Sequence, residues 1–147
     1  MGEFFLRQAL ESDARKITDL IHSVCINPTG LDWRRFIVAV DSNGDVLGCG
    51  QIKPHGREIR ELASIAVRPE WRGRRIARAV IDKLLESAQM PLYLMCMSDM
   101  GGLYEKFGFR PVARADLPKY FQRIYALFKT AGFFMQPHDD LLIMKLE

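Results

Sequence analysis

The chain has 147 residues and a net charge of +3, from 21 Lys and Arg against 18 Asp and Glu; one domain over 1–147, with a core of its own, is expected. Its hydrophobic fraction of 48% and charged fraction of 27% are those of a globular protein and exclude a disordered chain. The mild charge argues against a nucleic-acid partner, and no apolar run approaches the ~20 residues that span a bilayer, so no membrane partner is expected.

Cys25, Cys49 and Cys96 are far apart, odd in number and without C-x-x-C spacing, so no metal is expected and the thiols read as reduced. Met1-Gly2-Glu3-Phe4 shows no basic segment leading into an apolar stretch. No secretory signal is therefore expected, and the protein reads as cytoplasmic.

Phe4 to Ala9 predicts a first strand. Ser12 reads as a helix N-cap, with Asp13 against the positive end of the helix dipole. Ala14, Ile17, Leu20, Ile21 and Val24 then recur at helical spacing. Asn27-Pro28-Thr29-Gly30 breaks that helix, and 26–34 predicts a loop or short helix. Strands over 35–40 and 46–53 are joined by Asp41-Ser42-Asn43-Gly44-Asp45, a strong hairpin signal. A second turn at Pro54-His55-Gly56 leads into an antiparallel strand over 58–67, which Pro69 ends.

From Arg74 the period changes: Ala77, Val80, Ile81, Leu84, Leu85 and Ala88 form one apolar helical stripe. Leu92 to Met97 is a continuous apolar run and predicts a buried strand reached by a right-handed crossover. A short helix over 102–106, a strand over 109–113, a helix over 117–130 stopping at Gly132, a turn at His138-Asp139-Asp140 and a last strand over 141–146 complete the reading. This order predicts a single α/β domain whose one mixed sheet is mostly antiparallel and flanked by helices.

The junction between strand and helix at 67–77 carries the chemistry. The first amides of a helix lack internal partners and, with the dipole, form an anion site. Arg72, Arg74 and Arg75 crowd that end. Cations there oppose the macrodipole by ~0.3–1 kcal/mol each when exposed, and a bound anion reverses the penalty. The other reading is an arginine-rich, solvated helix start.

Val67-x-Pro69-x-Trp71-Arg72-Gly73-x-x-Ile76-Ala77, followed by an amphipathic helix, resembles the coenzyme A signature of the GNAT N-acetyltransferases. Tyr104-Glu105-Lys106-Phe107-Gly108-Phe109 resembles that family's second signature. The resemblance implies a GNAT-like acyl-CoA N-acyltransferase fold and direct acetyl transfer from acetyl-CoA, the co-substrate, to a primary amine. It assigns acetyl-CoA to Ile65, Ala66, Val67, Arg72, Gly73, Arg74, Arg75, Ile76, Ala77, Tyr104 and Lys106. Arg75 stands where the family pattern has glycine, at what reads as a first helical turn needing no positive φ.

By the same resemblance Tyr104 would donate a proton to the departing thiolate. Taken alone, it also reads as an aromatic packed under its short helix. Glu61 is the candidate general base, on the face of Ala63 and Ile65 if the strand alternates without a bulge. A solvated charge at the strand end is the plainer reading, and Glu58 and Asp99 are weaker candidates. His22, His55 and His138 are scattered and read as structurally incidental.

Segments 26–34 and 117–137 should wall an acceptor site, with Trp33, Tyr120 and Tyr125 as apolar surface. Arg57, Arg60 and Arg114 would pair with a carboxylate, which favours a small amino-acid-like or metabolite amine. A protein lysine or N-terminal acceptor and a non-catalytic CoA-binding module are the alternatives. Exposed sheet edges suit a monomer or a homodimer.

Overall fold

The computed structural model describes residues 3–130 and 141–147. The expected helix stop at Gly132 and the turn at His138-Asp139-Asp140 lie outside the described residues. Among the described residues the fold is α/β, with seven strands in one sheet. The chain forms two compact units, Met1–Lys53 with Leu62–Ala88, and Pro54–Glu61 with Gln89–Glu147. Strands β3 (Val46–His55) and β4 (Ile59–Val67) run through both.

In the first unit, β1 (Phe5–Gln8) pairs antiparallel with β2 (Phe36–Val40), and β2 pairs antiparallel with β3. The Asn43-Gly44 hairpin forms as expected, with Gly44 at φ +81. Asp41 closes the turn by accepting the N–H of Asn43 at 2.9 Å and of Asp45 at 3.0 Å. Helix α1 (Ala14–Ser23) buries Ile17, Leu20 and Ile21 against Val38, Val40, Cys49 and Ala66. Helix α2 (Ile76–Leu85) meets β3 at Gly48 and Gly50. A Cβ at Gly48 would stand 2.6 Å from Ile76 Cγ2, and one at Gly50 would stand 2.9 Å from Val80 Cγ1. Only glycine permits so close an approach.

Helix α1 starts differently from the sequence reading. Ser12 does not cap it; Glu11–Asp13 forms a 3-10 turn, and Asp13 is buried. The Asp13 carboxylate accepts two bonds from Arg7, at 2.6 and 3.2 Å, and the N–H of Leu10 at 2.7 Å. It therefore ties the end of β1 to the helix start, and the Arg7 partner outweighs any role against the dipole. Segment 26–34 also resolves locally: the Asp32 carboxylate accepts the Arg34 N–H at 3.0 Å and sets up a single 3-10 turn, Trp33–Arg35, before β2.

In the second unit, β5 (Leu92–Met97) and β6 (Arg110–Pro111) both pair antiparallel with β7 (Leu141–Leu146). Strand β6 is shorter than expected, because Phe109 leaves the strand line to fill the core at 0% exposure. Helix α3 spans Gly101–Glu105, and α4 spans Lys119–Thr130. Helix α4 begins later than expected because Leu117 and Pro118 follow a separate 3-10 turn, Arg114–Asp116. Phe121 anchors it in a cluster with Tyr93, Leu117 and Ile143. The second hairpin turn also moves: Pro54 and His55 remain in β3, and the turn falls on 56–58, where Gly56 supplies φ +69. No helix among the described residues is long and apolar enough to cross a membrane.

The Arg7 bonds hold the Asp13 carboxyl below its ordinary range. Its contribution to stability is therefore complete above the unfolded-state value of ~3.9 and is lost as pH falls through the depressed folded value. Asp13→Asn should destabilise the protein by about 1–2 kcal/mol at pH 7, since Arg7 is partly exposed. Urea unfolding at pH 7 and pH 3 checks this: the gap from wild type should narrow at the lower pH.

Candidate active site

At the exit of β4 the Arg68 N–H donates to the Leu47 carbonyl at 2.8 Å, which carries the sheet one residue beyond Val67. Pro69–Trp71 then form a 3-10 turn, Arg72 is extended, and Gly73 turns back at φ +80. Helix α2 begins at Ile76, two residues later than the period change suggests. Its first internal bond runs from the Ala79 N–H to the Arg75 carbonyl at 3.0 Å. The N–H groups of Ile76 and Ala77 therefore lie at a helix start without internal partners. Buried Ile76 pins the turn, while residues 72–75 are exposed.

Arg75 is the N-cap of α2, at φ +64 and ψ +23. The expectation that this position needs no positive φ is overturned. After Gly73 the chain re-enters the helix through a second left-handed residue, a conformation glycine adopts freely and a side chain resists. Arg74 is not simply solvated either. Its guanidinium lies over the Trp71 ring, 5.0 Å from the centroid, so the turn's own aromatic holds one cation near the open amides.

Along β4, Ala66 is buried and Ile65 and Val67 are half-buried. Ser64 has φ +59 inside the strand, so alternation does not carry unbroken from Glu61 to Ile65. The Ile65 side chain faces Gly50, with its Cδ1 where a Cβ on that glycine would clash at 2.5 Å. Ser64 itself is held by Gln51, whose Nε2 donates to the Ser64 Oγ at 2.8 Å and to the Gly30 carbonyl.

The second unit carries Glu61 and Tyr104. Glu61 is 4% exposed, which overturns the reading of a solvated strand-end charge. Its Oε1 lies 2.7 Å from the His55 Nε2. The His55 ring stacks on Tyr120 with centroids 4.0 Å apart and a 20° interplanar angle, and meets the edge of Phe121 at 6.4 Å. Burial and the Glu61 charge both raise the pKa of Tyr120. His55 is thus the residue that the sequence reading missed. The available signal was that His55 and Glu61 flank a tight turn, but placing the turn on Pro54-His55-Gly56 put the histidine at its exposed tip.

Tyr104 lies on α3, its ring against the edge of Phe109 at 6.3 Å and 78°. Burial pushes its hydroxyl up to about 12, and the neighbouring Cys96 adds to the shift. Cys96 is pushed up to about 11 by burial and by Asp99. Tyr104 therefore keeps its proton through the neutral range. Lys106 follows α3 and is exposed, as are Asp99, Glu58 and Arg57; Arg60 is half-buried. The Arg114 guanidinium lies over the Tyr125 ring at 4.7 Å. Among the described residues no group of three His, Cys, Asp or Glu side chains is placed to hold a metal ion.

The family model described as Acetyltransferase (GNAT) domain matches residues 32–111. No curated protein matches the chain by sequence. Rv2747 from Mycobacterium tuberculosis, solved in complex with CoA and a second ligand, is similar at 19% identity and TM-score 0.73, over 97% of this chain and 98% of that one. N-acetylglutamate synthase from Neisseria gonorrhoeae, complexed with coenzyme A and N-acetyl-glutamate, is similar at 20% identity and TM-score 0.68; the match covers 100% of this chain and 36% of that one. ElaA from Escherichia coli is similar at 17% identity and TM-score 0.68 over 100% of both chains. At these identities the likeness is one of fold.

Two measurements test this geometry. Arg75→Gly removes a left-handed strain of ~1–2 kcal/mol while loosening the unfolded chain. The variant should be as stable as wild type or more so, by up to about 1 kcal/mol; a clear loss in urea unfolding would contradict the left-handed cap. For Tyr104, a folded pKa raised above the unfolded ~10 gives stability that is complete below pH 10 and is lost as pH rises through about 12. Tyr104→Phe should flatten that alkaline loss, and ultraviolet titration should lose the tyrosine that ionises at about 12.

Proposed function

The chain belongs to the GNAT acetyltransferase family, and on that premise we propose that it transfers the acetyl group directly from acetyl-CoA to the primary amine of a small amino-acid-like metabolite. The amine nitrogen forms its bond to the thioester carbon as the carbon–sulfur bond breaks. The amine gives up a proton, and the CoA sulfur leaves with the bonding pair. The amides of Ile76 and Ala77, with Arg72, Arg74 and Arg75, would take the pyrophosphate. Backbone groups of Ile65, Ala66 and Val67 would take the pantetheine arm and the acetyl oxygen, as an added strand would.

The observation that carries the amine acceptor is the burial of Glu61. An anion at 4% exposure is expensive unless proton-donating groups meet it; His55 meets it at 2.7 Å, and such a buried pair is a proton acceptor of the kind an attacking amine needs. A lysine-type amine of pKa ~10.4 must be deprotonated at a cost of roughly 4 kcal/mol near pH 7.4, whereas an α-amine of ~7.7–8.0 costs under about 1 kcal/mol. Arg60, beside Glu61 on β4, and Arg57, in the preceding turn, add positive charge for a substrate carboxylate. The N-acetyl-glutamate bound by the Neisseria synthase is the product of such an acceptor and supports the same class here.

Tyr104 is the group offered to the departing sulfur, with the exposed Lys106 just after α3. Held near 12, its hydroxyl is a weaker acid than a thiol of ~8.5. It therefore stabilises the leaving sulfur by donating a hydrogen bond as charge builds, rather than by completing a proton transfer early.

Release of free CoA thiol from acetyl-CoA, screened over amino acids, polyamines, aminoglycosides and lysine peptides, tests this reading. Amino acids should give the highest kcat/KM, and Tyr104→Phe should lower kcat by roughly 10²-fold with little change in KM. Acetylation of lysine peptides with no turnover of small amines would overturn the acceptor class. Tight CoA binding with no turnover of any amine would overturn the enzyme reading.

A further inference from the structure

Glu61 does not stand alone, and its partner changes which atom handles the proton. We propose that His55 receives the amine's proton, with Glu61 as the buried carboxylate that orients it. This inference rests on the acetyl-transfer reading above and refines the part of that site that deprotonates the acceptor.

Three observations carry it. First, the contact is short: His55 Nε2 and Glu61 Oε1 are 2.7 Å apart, within a charge-assisted hydrogen bond. Second, the pair is layered. The Glu61 side chain is 6% exposed and the His55 side chain 17%, so the carboxylate sits behind and the imidazole in front. Third, the ring is fixed in orientation by the stacked face of Tyr120 and the edge of Phe121, both from α4.

The chemistry follows from that order. An ionised carboxylate only accepts hydrogen bonds, so the neutral imidazole must donate its Nε2–H to Glu61. The lone pair is then on Nδ1, which becomes the basic atom. A carboxylate of ordinary pKa ~4.3 is a poor base for an amine at 8–10, while an imidazole of ~6.5 is closer by about two units. When Nδ1 takes the amine's proton, the imidazolium formed stays bonded to the Glu61 carboxylate. The nitrogen's lone pair is released to form the new bond to the acetyl carbon. Glu61 is in this account a positioning residue.

The titratable groups around the ring come from several elements. Glu61 is on β4, Tyr120 on α4, and Tyr93 of β5 lies behind Phe121 with ring centroids 5.0 Å apart. The neighbouring turn carries Arg57 and Glu58, both exposed. A base must be unprotonated to act and so gives the pH–rate profile an acidic limb; the proposal assigns that limb to His55.

The experiment compares the full-length wild type with His55→Ala, His55→Gln and Glu61→Gln, using acetyl-CoA and the best amine from the screen. Both His55 variants should lose roughly 10²–10³-fold in kcat/KM near neutrality with the CoA Kd unchanged, and the acidic limb of the profile should disappear. Added imidazole should restore His55→Ala by at least tenfold. In the ¹⁵N-labelled protein, nitrogen shifts should show His55 as the Nε2–H tautomer, and Glu61→Gln should abolish that preference. Activity of the His55 variants within threefold of wild type, or loss of activity without imidazole rescue or a changed profile, would overturn the proposal. If no amine is turned over, the acetyl-transfer reading fails. The nitrogen shifts then still decide the His55–Glu61 pairing: an Nδ1–H tautomer overturns it.

Discussion

Ser64 adopts a left-handed conformation, φ +59, within the nine residues of β4. A non-glycine residue there costs about 1–3 kcal/mol and persists only when its surroundings over-determine it. Here β3 does so from two successive inward positions. The Cys49 Sγ donates to the Ser64 carbonyl at 3.5 Å, and Gln51 donates to the Ser64 Oγ at 2.8 Å. Gln51 is wholly buried, and its other amide bond, to the Gly30 carbonyl, ties segment 26–34 to the same spot. The irregular residue marks the change between two uses of one strand. Before it lies the buried Glu61; after it come Ile65 to Val67, which lead into the helix start.

Much of this was legible in the sequence because it depends on period. The run at 92–97 and the stripe from Ala77 to Leu84 each announce one element, and each forms. So does the Asn43-Gly44 hairpin, where a single residue type at a single position fixes the turn. The misreadings share a cause. Asp13, Ser64 and Arg75 hold their conformations through partners or neighbouring turns that periodicity does not encode. Ser12 and Asp13 both read as helix-start residues, and only Arg7, six residues before Asp13, decides that the carboxylate goes inward. Tertiary bonds of this kind override local propensity.

The arginine loop shows the same limit from the electrostatic side. The sequence places four arginines between 68 and 75 and makes their position at a helix start look unfavourable. It does not show that Trp71 takes up Arg74 by its ring face, nor that Arg75 occupies the left-handed cap itself. With residues 72–75 exposed and Ile76 buried, the turn presents its amides while one hydrophobic side chain fixes where they point. Strain at Arg75 and openness at Gly73 are two consequences of the same sharp re-entry into the helix.

Tyr104 and Glu61, the two candidates that the sequence offers for proton chemistry, are held in place by opposite means. Tyr104 is kept protonated by removal from water, with no charge partner needed. Glu61 is buried as well, but it is met by His55, and the pair depends on where a turn falls. Had the chain turned at Pro54-His55-Gly56, the imidazole would stand at the tip in solvent. Because Gly56 at φ +69 begins the turn one residue after His55, the histidine stays a strand residue, within reach of β4 and beneath the Tyr120 ring. A two-residue shift in a turn thus separates a histidine with no evident role from one bonded to the buried carboxylate. That shift is governed by the freedom of a glycine to adopt positive φ rather than by any pattern of hydrophobic residues.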